Sequence, residues 1–321
     1  MSLRALGQTR IRVTPLGMGC WPITGITSVD VNEADSLATL TAAFDAGIHF
    51  FDTAYCYGFE GESERMIARA LRNDRHKIVL ASKGGIHWEA GQQARCGRPE
   101  TLQRECDESL RRLQTDRIEL YYLHAPDPNV PIADSAGAIG ELIRQGKVLS
   151  AGLSNATVEQ LAEFHRACPL TAYQPHFNML QREIEDSQLP WCVEHGVSVV
   201  VYWPLMKGLL AGHLPREHVF DPKDGRRKYP MFSGDEWQKN QDFLDRLREL
   251  AAELEKPISQ IVLNWTIQRA GITAALCGAK RPHQIQENAA ALRWSLTAAQ
   301  IARINAAIAA RGTIVSKAAV S

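Results

Sequence analysis

No long hydrophobic run breaks this sequence: nowhere does an uncharged apolar stretch reach the roughly 20 residues that a membrane helix requires, and Met1 to Gly7 holds no signal-like core. Nor is there an excess of charge. Lys plus Arg and Asp plus Glu both number 36, so no global field favours nucleic acid or an anionic membrane, and any anion site must be local. The seven cysteines, at 20, 56, 96, 106, 168, 192 and 277, are odd in number and lack C-x-x-C spacing, which excludes a disulfide framework or a zinc cluster. The ten histidines show no H-E-x-x-H, and no other zinc-ligand spacing occurs, so a metal is not expected. A dinucleotide fingerprint is also missing, since Pro22 stands where the third glycine of G-x-G-x-x-G would follow Gly17 and Gly19. These absences predict a cytoplasmic protein with a small-molecule substrate, no nucleic-acid partner and no membrane partner. The oligomeric state is left open.

What the chain does contain is alternation. Short apolar runs at 16–21, 48–52, 78–83, 118–124, 148–153, 171–174, 197–202 and 273–277 are separated by helical patterns at 34–47, 62–73, 99–113, 133–145, 157–167 and 187–194. Eight strand–helix units without a Pro/Gly/Ser linker predict an α/β protein: a parallel (β/α)8 TIM barrel forming a single domain over 1–321. The turn Gly7-Gln8-Thr9 before alternating Ile11 and Val13 adds a short N-terminal β-hairpin. Extra helices follow strand 7, at 238–255 after a long polar connection (211–236), and close the C-terminus behind the capping box Thr297-x-x-Gln300.

In such a barrel the site lies where the strands end. Asp52 ends the second run with Tyr57 in the loop beyond; Lys83 ends the third, His124 the fourth, Ser154-Asn155 the fifth and Gln174 the sixth. An ammonium beside a phenol lowers the phenol's pKa, so Lys83 could tune Tyr57, with Asp52 as its counter-ion. His124 could donate to a substrate oxygen where charge builds up. Gly278-Ala279-Lys280-Arg281-Pro282 ends the last strand and opens a helix, where free backbone N–H groups and two cations suit a phosphate. Arg281 offers a fork to a 2′-phosphate and Lys280 a point charge.

The motifs F-D-T-A-Y-C-Y-G, L-A-S-K-G-G, Y-Y-L-H-A-P-D, G-L-S-N and G-A-K-R-P-H-Q-I-Q-E-N, in that order, resemble the successive signatures of the aldo-keto reductases. The resemblance implies an oxidoreductase moving a hydride between NADP(H) and a carbonyl or alcohol substrate, with NAD(H) as the less favoured cofactor. It places Asp52, Tyr57, Lys83 and His124 in a catalytic tetrad, with Tyr57 rather than Tyr55 as general acid/base. It puts Ser154, Asn155 and Gln174 at the nicotinamide carboxamide, Tyr202 under the ring and Pro204, Leu205 and Gly208 beside the pyrophosphate. Gly278, Lys280, Arg281, Gln284, Glu287 and Asn288 match the adenosine end. Trp21 is counted with the cofactor residues, and it and Trp88 are also candidates for the substrate pocket. Trp203 departs from the family, where a small residue is more frequent. A sugar or alcohol dehydrogenase working oxidatively and a cofactor-sensing regulatory subunit are the rival readings.

Overall fold

The computed structural model describes residues 2–27 and 29–315. Strands β1 (Arg4–Ala5) and β2 (Arg12–Val13) form the N-terminal hairpin. There follow β3 (Leu16–Gly19), α1 (Glu33–Asp45), β4 (Phe50–Asp52), α2 (Glu62–Ala70) and β5 (Val79–Gly84). A second hairpin, β6 (Ile86–Glu89) and β7 (Gln92–Arg95), precedes α3 (Pro99–Leu113) and β8 (Leu120–Leu123). The remainder is α4 (Ile132–Arg144), β9 (Ala151–Ser154), α5 (Val158–Ala167), β10 (Leu170–Gln174), α6 (Gln188–Glu194), β11 (Ser198–Tyr202), α7 (Gly234–Leu254), α8 (Ile258–Ile267), β12 (Ile272–Cys277), α9 (Pro282–Ala290) and α10 (Ala298–Arg311).

All eight anticipated runs become parallel strands, and β3-β4-β5-β8-β9-β10-β11-β12 closes into a barrel, the (β/α)8 architecture read from the sequence. Inside it, Phe50, Ala81, Leu120, Tyr122, Ala172, Val200, Ala274 and Leu276 pack with Leu6 and Val13 of the first hairpin. The hairpin therefore plugs the N-terminal end, leaving the barrel open only where the strands finish. Gly152 is required by this filling: a Cβ there would lie 2.2 Å from the Tyr122 ring.

Two elements were not anticipated. Helix α8 is buried along every residue, so it has no polar face to set a helical period. The β6–β7 hairpin turns through Ala90 and Gly91, both with positive φ, and its polar residues do not alternate in the way a half-buried strand would. The capping box at Thr297 forms as expected, while α7 begins at Gly234, four residues earlier than the periodicity suggested. Of the segment after Gly312, residues 316–321 lie outside the described residues. No helix among the described residues is long and apolar enough to cross a membrane.

Candidate active site

The loop after β4 folds back over the end of β5. The Thr53 amide donates to Ala81 and the Tyr55 amide to the Lys83 carbonyl at 2.9 Å, and the Tyr57 amide closes a turn onto Ala54. That path sends the two tyrosines opposite ways. Tyr55 leaves the barrel, its hydroxyl donating to Glu108 of α3 at 2.7 Å and its ring under Arg112. Tyr57 returns over the barrel mouth, its hydroxyl 3.4 Å from Lys83 Nζ.

Lys83 and Asp52 are each about 1% exposed and form a direct ion pair. The ammonium also donates to the Thr53 carbonyl at 2.8 Å. Asp52 takes its second contact from Gln174 Nε2 at 2.8 Å. Burial pushes the Asp52 carboxyl up, against the pull of Lys83 and Gln174. The phenol does not follow the sequence expectation: burial, with Asp52 as the next cause, raises Tyr57 well above its ordinary value. Burial penalises the phenolate, and the Asp52 carboxylate opposes a second negative charge beside it. Tyr57 is thus a neutral O–H donor at physiological pH. His124 lies beside it, ring centroids 5.9 Å apart, and burial together with Lys83 and Arg95 holds the imidazole well below its usual pKa and neutral.

A hydrogen-bond chain extends from this cluster. Ser154 Oγ donates to the Gln174 carbonyl at 2.7 Å, and Asn155 Nδ2 donates to Ser154 Oγ and to the His124 carbonyl. Tyr202 donates to Asn155 Oδ1 at 2.7 Å. Asn155 itself has φ 57, in the left-handed region that Asn tolerates better than most residues. Ser154, Asn155, Gln174 and Tyr202 are therefore joined to Asp52 in one network. Trp21 meets the Tyr57 ring edge-on at 5.0 Å, placing it at the phenol, and Trp88 donates its indole N–H to the Cys56 carbonyl.

At the ends of β11 and β12 the charges are arranged differently. Pro204, Leu205 and Gly208 lie in a tight turn, where Trp203, Met206 and Lys207 all have positive φ. Lys207 Nζ lies 3.6 Å from the Trp203 ring centroid and 4.5 Å from that of Tyr229; among the described residues it has no hydrogen bond or ion pair. Arg226 reaches toward Gly208, and at Lys280 the charges of Arg226 and Arg281 add to burial in lowering the lysine pKa. Gly278 sits against Pro22, where a Cβ would come within 2.5 Å. Two of the anticipated free N–H groups at the start of α9 are not free: the amides of Lys280 and Arg281 both donate to Gln284 Oε1, which caps the helix from inside. Arg281 binds the Asp30 carbonyl and pairs with Asp35 at 3.3 Å, and Lys280 binds the Val29 carbonyl. Glu287 accepts from Ser259, and Asn288 is buried in α9.

A half-buried Lys207 ammonium without an acceptor among the described residues, with Arg226 reaching toward Gly208 and Lys280 near Arg226, fits a polyanion such as a dinucleotide. Lys207 and Cys56 were not singled out from the sequence. A lysine in a loop and a cysteine between two tyrosines carry no spacing signal. Among the described residues no group of three or more His, Cys, Asp or Glu could hold a metal.

Comparison with known proteins gives a consistent picture. Residues 15–309 match the model of the Aldo/keto reductase family. The chain is 33% identical over 308 residues to aldo-keto reductase YhdN of Bacillus subtilis, covering 95% of this chain and 93% of that one. It is 31% identical to the NADH-specific methylglyoxal reductase of Escherichia coli, covering 91% of this chain and 94% of that one. Its structure superposes on the glycerol dehydrogenase of Gluconobacter oxydans with a TM-score of 0.90 at 30% identity, over 97% of this chain and 96% of the other.

Proposed function

The chain belongs to the aldo/keto reductase family of oxidoreductases, which use nicotinamide cofactors, and on that basis we propose that it reduces a small carbonyl compound with NADP(H), Tyr57 being the proton donor. The observation that carries this reading is the buried Asp52–Lys83 pair under a neutral Tyr57 hydroxyl, with the neutral His124 alongside. A bound nicotinamide supplies the hydride. The remaining work belongs to the chain: Tyr57 holds a proton at its hydroxyl oxygen, aimed at the carbonyl oxygen, and His124 donates a hydrogen bond to the same atom. Lys83 steadies the phenolate that remains after transfer, and Asp52 keeps Lys83 charged away from water. Ser154, Asn155 and Gln174 orient the carboxamide and so select the ring face, with Tyr202 beneath the ring.

Lys280 and Arg281 favour NADP(H), because a 2′-phosphate dianion would displace the neutral carbonyls of Val29 and Asp30 and compete with the Asp35 carboxylate for Arg281. The NADH-specific relative makes this preference the part to measure first. Oxidation of a polyol is the second reading, favoured by the likeness to a glycerol dehydrogenase. A raised phenol pKa supports the reductive direction at neutral pH, since reduction uses the protonated phenol and oxidation the phenolate. The test is steady-state turnover of aldehydes, ketones and polyols with NADPH, NADH and their oxidised forms from pH 6 to 9. Carbonyl reduction that is steady over pH 6–8, and alcohol oxidation that climbs with pH, are expected. Cofactor binding without turnover of any carbonyl or alcohol would defeat the proposal and favour a cofactor-sensing role.

A further inference from the structure

Cys56 lies between the two tyrosines of the loop after β4 and is about 1% exposed. Its sulfur is 3.6 Å from Nδ1 of His124 and 3.8 Å from Nε2 of Gln93, on β7. The β6–β7 hairpin holds it there. His87 of β6 is anchored to Glu105 of α3 at 2.8 Å, and the Trp88 indole N–H donates to the Cys56 carbonyl at 2.9 Å. His124 is pinned through its backbone, its amide donating to the Gly84 carbonyl and its carbonyl accepting from Asn155. What the backbone does not fix is which ring nitrogen carries the hydrogen.

A neutral imidazole has one N–H and one bare nitrogen, and the partner of one decides the state of the other. Burial pushes the Cys56 thiol up to about 12, so it keeps its hydrogen at neutral pH. The Gln93 amide N–H is directed at the sulfur and occupies it as an acceptor, which leaves S–H to point at the ring. We propose that Cys56 is a positioning residue whose S–H donates to Nδ1 of His124 and thereby keeps the imidazole hydrogen on Nε2, the nitrogen that meets the substrate oxygen. The direction runs Gln93 N–H to sulfur, S–H to Nδ1, Nε2–H to carbonyl oxygen. In the other tautomer Nε2 would present a lone pair to that oxygen and repel it as negative charge develops. The proposal rests on the reading of His124 as the oxygen's partner.

The test is a long-range nitrogen–proton NMR correlation of the histidine rings in the full chain, wild type, Cys56→Ser and Cys56→Val, with His124→Gln to assign the signal. Turnover and NADPH binding are measured on the same samples. Wild type and Cys56→Ser should show the Nε2–H pattern. Cys56→Val should show the Nδ1–H form gaining population, with kcat falling on the order of tenfold, as for a weakened oxyanion donor, and NADPH affinity unchanged. A wild-type His124 carrying its hydrogen on Nδ1 overturns the proposal, as does a Cys56→Val protein with an unaltered pattern. If Val does not fold, the wild-type and Ser spectra still decide. A shifted tautomer with unaltered kcat supports the role of Cys56 in setting the ring and sinks the reading of His124 instead.

Discussion

Two cation-bearing regions share the open end of this barrel, and they treat charge in opposite ways. At the ends of β4 and β5, Lys83 is sealed from solvent and matched by Asp52 within the protein. At the ends of β11 and β12, Lys207 rests on two aromatic faces without an acceptor among the described residues, and Lys280 has only a backbone carbonyl. The first region is complete before any ligand arrives, which suits a group that must hold one proton at one place. In the second, Arg226 pairs with Asp224 and Arg281 with Asp35, but Lys207 and Lys280 have no carboxylate partner among the described residues. The turn that holds Lys207 carries three non-glycine residues at positive φ, a local cost that a bound polyanion could offset.

Paired substitutions turn that contrast into measurements. Lys83→Met leaves Asp52 buried without a counter-charge, held only by the neutral Gln174 amide, and should cost about 3–5 kcal/mol of stability, read from the denaturant midpoint, along with turnover. Lys207→Met removes a desolvated cation that has no partner among the described residues, so its stability should equal or exceed that of wild type. Equal losses in the two variants would erase the distinction between the regions. Replacing Lys280 and Arg281 together by Ala should weaken NADPH binding by about 10- to 100-fold, the worth of one or two charge-assisted contacts, and leave NADH nearly unaffected. Equal effects on both cofactors would remove the 2′-phosphate assignment.

The pH dependence of binding gives a finer test. Burial, with Lys228 as the second cause, lowers Lys207 to about 7. In the unfolded chain this group keeps its proton to near its ordinary value of 10.5, so folding stability is reduced below about pH 7 and recovers as pH rises from there toward the unfolded value. An anionic ligand favours the charged form. NADPH should therefore bind most tightly below pH 7 and weaken as pH rises through it, by up to about tenfold per unit, and Lys207→Met should flatten that slope. Titration by cofactor fluorescence from pH 6 to 8.5 reads both. The smallest effect belongs to Tyr55→Phe, which gives up one hydrogen bond to Glu108; it should cost about 1 kcal/mol and leave kcat essentially intact.

The two regions also differ in how far the sequence discloses them. Strand ends are visible because each apolar run stops at a chemistry-bearing residue, so Asp52, Lys83, His124, Ser154, Asn155 and Gln174 could be placed on one face of a barrel before any contact was known. The backbone turn that separates Tyr57 from Tyr55 was not visible; the family resemblance, not spacing, chose between them. Nor could spacing give the sign of the Tyr57 shift, which depends on how deeply the loop buries the phenol and on the Asp52 charge beside it. At the cofactor end the sequence showed two cations and a proline-started helix, but not that Gln284 already fills the amides of residues 280 and 281. Lys207 depends on left-handed backbone at non-glycine residues, for which composition and periodicity carry no mark.

Tyr57 is the residue on which the chemistry turns. The most direct measurement is single-turnover oxidation of bound NADPH by a reactive aldehyde in Tyr57→Phe, set beside an NADPH titration of the same sample. Binding within about twofold of wild type together with a rate lowered by about 10²- to 10⁴-fold, the range for loss of a positioned proton donor, is the predicted result. A wild-type rate in that variant would contradict the account.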